Sequence, residues 1–134
     1  MPYSMLETSD ILSLYYTSLY HGDLDAVKAL MTQESYMMTL ETFGLRLALR
    51  DHDFKAQLKN IESDEDALAE VENKLSYELI SRKVSPKIDI KRVIENGTKR
   101  QTIEYTEDGK DKKLYFSKEE DGWKINYYAG RRVD

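Results

Sequence analysis

Residues 88–128 read IDIKRVIENGTKRQTIEYTEDGKDKKLYFSKEEDGWKINYY, and this stretch decides the fold. It contains Asn96-Gly97, Asp108-Gly109 and Asp121-Gly122, three dipeptides spaced 12 or 13 residues apart. Both residues of such a pair tolerate positive φ, which a two-residue type I′ hairpin turn requires. The segments between them are rich in Ile, Thr, Tyr and Phe, as strands are. The spacing predicts a four-stranded antiparallel meander, and turns of two residues fix its register. Ile90 then faces Ile103, Leu114 and Ala129 in one row, and Arg92 faces Gln101, Phe116 and Tyr127 in the next. These rows form the expected covered face. Lys91, Thr102, Tyr115 and Tyr128, with Val93, Arg100, Ser117 and Asn126, form the expected outer face.

Upstream, the apolar spacing changes to the 3.6-residue period of helices. Leu12, Tyr15, Tyr16 and Leu19 predict a helix from about Ser9 to Tyr20, capped by Ser9 or Asp10 and ended by Gly22. Asp23 caps a second, short helix that buries Leu24, Val27, Leu30 and Met31. The run Tyr36–Leu40 reads either as a short strand or as the start of a helix. Leu45, Ala48 and Leu49 make one apolar stripe, and Phe54, Leu58 and Ile61 another. On one continuous helix these would point to opposite sides, so a break is expected at Asp51-His52-Asp53. Ser63-Asp64-Glu65-Asp66 resembles a capping box and opens a helix to about Ile80, with Leu68, Val71, Leu75 and Leu79 inward. The expectation is an α+β fold, its N-terminal helices packed in a curved antiparallel sheet of four or slightly more strands. No repeat, low-complexity tract or linker divides the chain, so residues 1–134 are read as a single domain.

Composition narrows the function classes. With 40% hydrophobic and 34% charged residues the chain is globular, and the lack of cysteine excludes disulfides and thiolate metal sites. Met1–Glu7 holds no basic residue and no apolar run, so no secretory leader is expected. No stretch approaches the ~18 apolar residues of a membrane span. The expected location is the cytoplasm, by elimination. Residues 1–81 carry 6 Lys/Arg against 15 Asp/Glu, a net of −9, and residues 82–134 carry 14 against 10, a net of +4. The basic residues alternate with acids and form no stripe, so nucleic acid is not an expected partner.

Motifs for chemistry are sparse. His52 lies between Asp51 and Asp53, where an imidazole beside carboxylates suits a general base. The simpler reading is that the aspartates cap a helix and His52 is partly exposed. His21 follows the last turn of the first helix, where a cation interacts well with the helix dipole. No ligand spacing, phosphate loop or nucleophile elbow is present, so no metal and no cofactor are expected. Tyr15, Tyr16, Tyr20, Tyr105 and Tyr127 offer hydroxyls above an apolar wall, or are core residues whose hydroxyls reach a partner. Arg92 on a covered face needs a carboxylate partner, a ligand or solvent, because an unpaired buried cation is costly. The candidate ligand site is therefore Arg92 and Gln101 meeting Tyr127 and Phe116, closed by Tyr16 or Tyr20 and His52. The competing account pairs Arg92 with Glu78 or Asp53.

The segment Tyr16-Thr17-Ser18-Leu19-Tyr20-His21-Gly22-Asp23-Leu24-Asp25-Ala26-Val27-Lys28-Ala29-Leu30-Met31 resembles the opening of nuclear transport factor 2-like domains, including the SnoaL-like proteins. The ending Asp121-Gly122-Trp123-Lys124-Ile125-Asn126-Tyr127-Tyr128 is similar to that superfamily's last strand. The resemblance implies a cystatin-like cone, a curved sheet wrapped around helices with a pocket at its open end. The superfamily spans isomerases, dehydratases, cyclases and many non-catalytic binding or dimerising modules, so fold leaves function open. The leading expectation is a binding module for a small apolar or anionic ligand. The alternatives are a cofactor-free isomerase, dehydratase or cyclase, and a non-catalytic dimerising protein with a filled pocket. A homodimer through the outer sheet face is expected, built on Tyr115, Tyr128, Val93 and Asn126.

Overall fold

The computed structural model describes residues 5–82 and 85–131; residues 1–4, part of the segment behind the no-leader expectation, lie outside them. Five helices come first: α1 (Thr8–Tyr20), α2 (Leu24–Ala29), α3 (Gln33–Arg50), α4 (His52–Leu58) and α5 (Glu65–Ile80). Strands β1 (Ile88–Glu95), β2 (Arg100–Glu107), β3 (Lys110–Glu119) and β4 (Gly122–Ile125) then form one antiparallel sheet in chain order, followed by a 3-10 turn at Ala129–Arg131. The expected α+β class, helices first, is what forms. Among the described residues no helix is long and apolar enough to cross a membrane.

Local chemistry explains most helix ends. α1 stops because Gly22 takes φ +72°, and the Gly22 and Asp23 N–H groups donate to the Leu19 and Ser18 carbonyls at 3.1 and 2.9 Å. A Cβ on Gly22 would lie 2.8 Å from the Ser76 carbonyl oxygen and 2.6 Å from the Ile80 side chain, so the turn also permits the approach of α5. The start of α1 differs from expectation: Glu7 precedes it without a side-chain cap, and neither Ser9 nor Asp10 takes that place. Tyr36–Leu40 proves to be helix, since α3 opens at Thr32, whose hydroxyl accepts from the Ser35 N–H. The break falls where the two stripes require it. Asp51 Oδ1 accepts from the Phe54 N–H at 3.0 Å and starts α4. Gly44 then lets Phe54 and Leu58 pack directly on α3, so α4 runs back along its predecessor. Asp64, not Ser63, caps α5.

In the sheet, one turn follows expectation and two do not. Asp108 and Gly109 have φ +51° and +82°, the two positive values of the expected turn, and β2 and β3 pair as predicted, Ile103 with Leu114 and Gln101 with Phe116. The first hairpin has a longer loop. Asn96 donates to the Arg100 carbonyl across residues 97–99, and Val93 rather than Ile90 opposes Ile103. An odd shift moves side chains to the other face. Arg92 therefore lies on the outer face opposite Glu104, and Val93, though 45% exposed on this edge strand, shares the face of Ile103. A bulge between Ile90 and Arg92 restores the parity, so Ile90 faces inward beside Tyr105. The last turn is Glu120-Asp121, one residue early, and the resulting even shift keeps the faces but pairs Phe116 with Ile125 instead of Tyr127.

The core joins the helices to the inner sheet face. Leu12, Leu19, Leu30, Leu40, Leu75 and Leu79 are fully covered, as are Ile103, Phe116 and Ile125. β4 is closed on its open side by the link between α2 and α3, because the Ile125 N–H donates to Leu30 O and the Thr32 N–H to Ile125 O. β1 is the exposed edge, and its bulge and its Lys91 are features that discourage edge-to-edge pairing.

Candidate functional site

α1 lies against β1, β2 and β4, and brings Tyr15 and Tyr16 beneath the sheet. Adjacent helix positions point about 100° apart, so the two rings diverge and meet edge-on at 5.0 Å. The Tyr16 hydroxyl meets the Tyr105 hydroxyl from β2 at 2.7 Å, in a buried contact with the rings again edge-on. The Tyr15 hydroxyl meets that of Tyr127 at 3.2 Å. Tyr127 lies beyond the last strand, held by its N–H donating to the Ser35 hydroxyl, and its own hydroxyl also reaches Thr39 on α3 at 3.1 Å. Thr39 in turn donates to the Ser35 carbonyl. Four tyrosines and one threonine thus close two hydrogen-bonded groups inside the fold.

Burial sets their titration. It is the largest cause raising Tyr15, Tyr16 and Tyr105 above the ordinary phenol value, because a phenolate there would lose its hydration. For Tyr16 the hydrogen bond to Tyr105 and the nearby Glu107 carboxylate add to the rise. These phenols stay protonated at neutral pH, which suits hydrogen bonding and not proton abstraction. Among the described residues, the one buried side-chain polar atom without a partner is Gln57 Oε1, on a different helix. The hydroxyls beneath the sheet are already satisfied by one another.

The remaining candidates disperse. Gln101 faces inward and accepts from the Thr8 hydroxyl at 2.6 Å, and Phe116 is fully buried in the core. Tyr20 is half-buried, its pKa raised chiefly by burial and next by Glu107, with Arg82 opposing. Tyr36, on α3, is bonded to Glu72 of α5 and has its pKa raised by burial first and by that contact second. Arg92 does not lie under the helices. Its side chain is two-thirds exposed and pairs across the strands with Glu104, which Lys113 also approaches at 3.6 Å. Neither Glu78 nor Asp53 is its partner; Glu78 pairs with Arg50. His52 is exposed at the first position of α4, and does not close the site. The expected meeting of Arg92 with Gln101, Tyr127 and His52 is corrected by the odd register shift and by where α4 begins.

The outer sheet face also differs from expectation. Val93 shares the opposite face with Ile103, and the Tyr115 ring lies under the C-terminal segment so closely that a Cβ on Gly130 would come within 2.5 Å of it. Asn126 bonds Ser117, and its N–H donates to the Tyr115 carbonyl. Much of that surface is covered by the chain's own end.

Several concavities open on the surface, and two of them adjoin α3. A cleft of about 780 Å³ lies between the start of α3, β2, β3 and the C-terminal segment; Lys99, Arg100 and Lys118 line it together with Glu34, Glu62 and Glu119. A groove of about 360 Å³ runs between α3 and α4. Its α3 wall includes Leu45 and Leu49, which are 60% and 87% exposed instead of covered as their stripe suggested. Sequence reasoning also missed Thr39 and Thr8, polar residues whose partners stand 88 and 93 residues away. Neither has a local signal to find it by. Compared with protein-family models, with curated proteins and with solved structures, the chain has no match.

Proposed function

We propose that the chain is a cytoplasmic, non-catalytic interaction module whose function lies on its surface, the form of nuclear transport factor 2-like fold in which the pocket is filled. The observation that carries this reading is the bonded hydroxyl set of Tyr15, Tyr127 and Thr39 beside the Tyr16–Tyr105 pair. A small-molecule site usually offers an apolar cavity with a few converging polar groups left for the ligand. Here the rings occupy that space and the polar groups bond one another. Helices first and a meander last support the family resemblance. The phenols raised by burial are not poised to take a proton, and His52 stands exposed at the start of α4 and does not close the space beneath the sheet, which favours binding over acid–base catalysis there.

A second reading, a module for a small anionic ligand, is supported by Lys99, Arg100 and Lys118 along the cleft beside α3. It ranks second because three glutamates line the same cleft and balance those charges. Native mass spectrometry on gently purified protein separates the two. The first reading expects only masses that are whole multiples of the bare chain. A stoichiometric small molecule retained on the chain, and lost on denaturation, overturns it.

A further inference from the structure

The chain holds four asparagines, Asn60, Asn73, Asn96 and Asn126, and the fold treats one of them differently. An asparagine side chain is open to attack by the backbone nitrogen of the next residue when that nitrogen is uncrowded and unbonded and the two groups can meet. Three of the four sites are closed. Ile61 follows Asn60 with its branched side chain almost wholly buried, and Asn60 Nδ2 donates to the Ala56 carbonyl at 3.0 Å. Asn73 lies inside α5, where the Lys74 N–H belongs to the helix ladder. At Asn126 both ends of the amide are held: Nδ2 donates to the Ser117 hydroxyl, and Oδ1 accepts from the Tyr128 N–H. The Tyr127 N–H, the would-be nucleophile, donates to the Ser35 hydroxyl.

Asn96 is open on each count. It stands at the head of the loop between β1 and β2, and it, Gly97, Thr98 and Lys99 are all exposed. Gly97 has no side chain, and a Cβ placed on it would meet nothing within 4 Å, so the loop is open around it. Among the described residues no hydrogen bond holds the Gly97 N–H. The Thr102 hydroxyl donates to Asn96 Oδ1 at 2.8 Å, which draws electron density from Cγ and leaves Nδ2 without a partner among the described residues. The other two hairpin dipeptides differ. Asp108 Oδ1 accepts from the Lys87 N–H at 2.9 Å, Asp121 is paired with Lys124 at 3.1 Å, and an ionised carboxylate is a poor electrophile.

We infer that Asn96 is a self-modification site, converting without an enzyme into aspartate and isoaspartate. The Gly97 nitrogen bonds to Asn96 Cγ, the Cγ–Nδ2 bond breaks, and the Gly97 N–H proton leaves with Nδ2 as ammonia. Water then opens the five-membered imide at either carbonyl. Opening at Cγ leaves aspartate; opening at the main-chain carbonyl leaves isoaspartate, with the chain running through the former side chain. No electrons are exchanged, and water is the co-reactant. Either product adds one negative charge next to Glu95, in the loop that carries Lys99 and Arg100 to the cleft beside α3. Isoaspartate also lengthens the loop backbone by one atom, in a hairpin whose loop length sets the strand register. The charge and the reach of the cleft's basic rim thus change with the age of the chain.

The test incubates the full chain for days in mildly alkaline buffer, folded and in parallel unfolded in guanidinium chloride. Intact mass, ion exchange and peptide mapping follow it, with fragmentation separating the two isomers. In the folded chain the peptide carrying Asn96 gains one mass unit at least about 10-fold faster than those carrying Asn60, Asn73 or Asn126, about 1.4 kcal/mol in barrier. Isoaspartate is among its products. Its rate stays within about 3-fold of that in the unfolded chain, because the loop does not restrain it. Asn96→Ser removes the gain and leaves the far-ultraviolet circular dichroism unchanged, since the side chain is exposed. A folded chain whose Asn96 persists while the unfolded chain converts overturns the inference, because the fold then protects the loop. So does conversion led by another asparagine, or conversion to aspartate alone, which would bypass the imide.

Discussion

If the hydroxyls beneath the sheet bond one another, replacing the Tyr16 and Tyr105 pair by phenylalanine must give strongly non-additive losses of stability. A buried neutral hydrogen bond contributes about 1 kcal/mol, whereas a hydroxyl stranded without a partner costs about 1–3 kcal/mol. Tyr16→Phe strands the Tyr105 hydroxyl, which belongs to a residue 3% exposed, so a loss of about 2 kcal/mol is expected. Tyr105→Phe is milder, about 1 kcal/mol, because the Tyr16 hydroxyl keeps the Glu107 carboxylate as an acceptor. The double variant removes both polar groups and keeps the edge-on rings, so it costs about 1 kcal/mol rather than the sum of about 3. The coupling is therefore about 2 kcal/mol. Urea unfolding followed by circular dichroism reads these differences, and each kcal/mol corresponds to roughly 3–5 °C in Tm for a chain of this size. Additive single changes, or singles without effect, would show that the hydroxyls face solvent or a ligand and would refute the closed interior.

Gly22→Ala is expected to cost at least about 2 kcal/mol, since φ +72° is unfavourable for alanine by about 1–2 kcal/mol and its Cβ meets the Ser76 carbonyl; a thermal melt unchanged from wild type would contradict this. Alkaline pH is the second probe. Tyr15, Tyr16, Tyr36 and Tyr105 have folded pKa values raised above the unfolded value near 10, so their stabilisation is complete below pH ~10. Above it the unfolded chain releases protons that the folded chain keeps, and stability falls by up to about 1.4 kcal/mol per pH unit for each tyrosine; a urea midpoint flat from pH 9 to 11.5 would oppose the assignment. Arg92→Met should leave the urea midpoint within error of wild type, because Arg92 and its contact with Glu104 lie on the exposed face; a large loss would place Arg92 inside the fold.

How much of this was legible depended on whether a feature was local. Turn residues, caps and apolar periods revealed α1, α2, α5 and the four strands, and the clash of the Leu45 and Phe54 stripes located the break at Asp51, but the run Tyr36–Leu40 at the head of α3 stayed open between strand and helix. Register was legible only where the turn had its simplest length. At Asp108-Gly109 the pairing is as read, but a three-residue loop after Asn96 and an extra residue at Lys91 each reverse side-chain parity, and no composition signal distinguishes them. That parity decided the fate of Arg92. The inward tyrosines were legible as residue types on an apolar period. Their partners were not, because Thr39 and Tyr127 are joined only by the tertiary fold, and the exposure of Leu45 and Leu49 depends on how far α4 covers α3.

The central claim is that the space between α1, α3 and the sheet is closed, so that binding takes place outside it. Nuclear magnetic resonance on chain labelled at the tyrosine rings tests it directly, with assigned signals for Tyr15, Tyr16, Tyr105 and Tyr127 followed during titration with amphiphilic carboxylates and sterol-like alcohols. The account predicts that these four signals do not move with added ligand. Saturable shifts of the four tyrosines at micromolar ligand would contradict it and return the function to the interior.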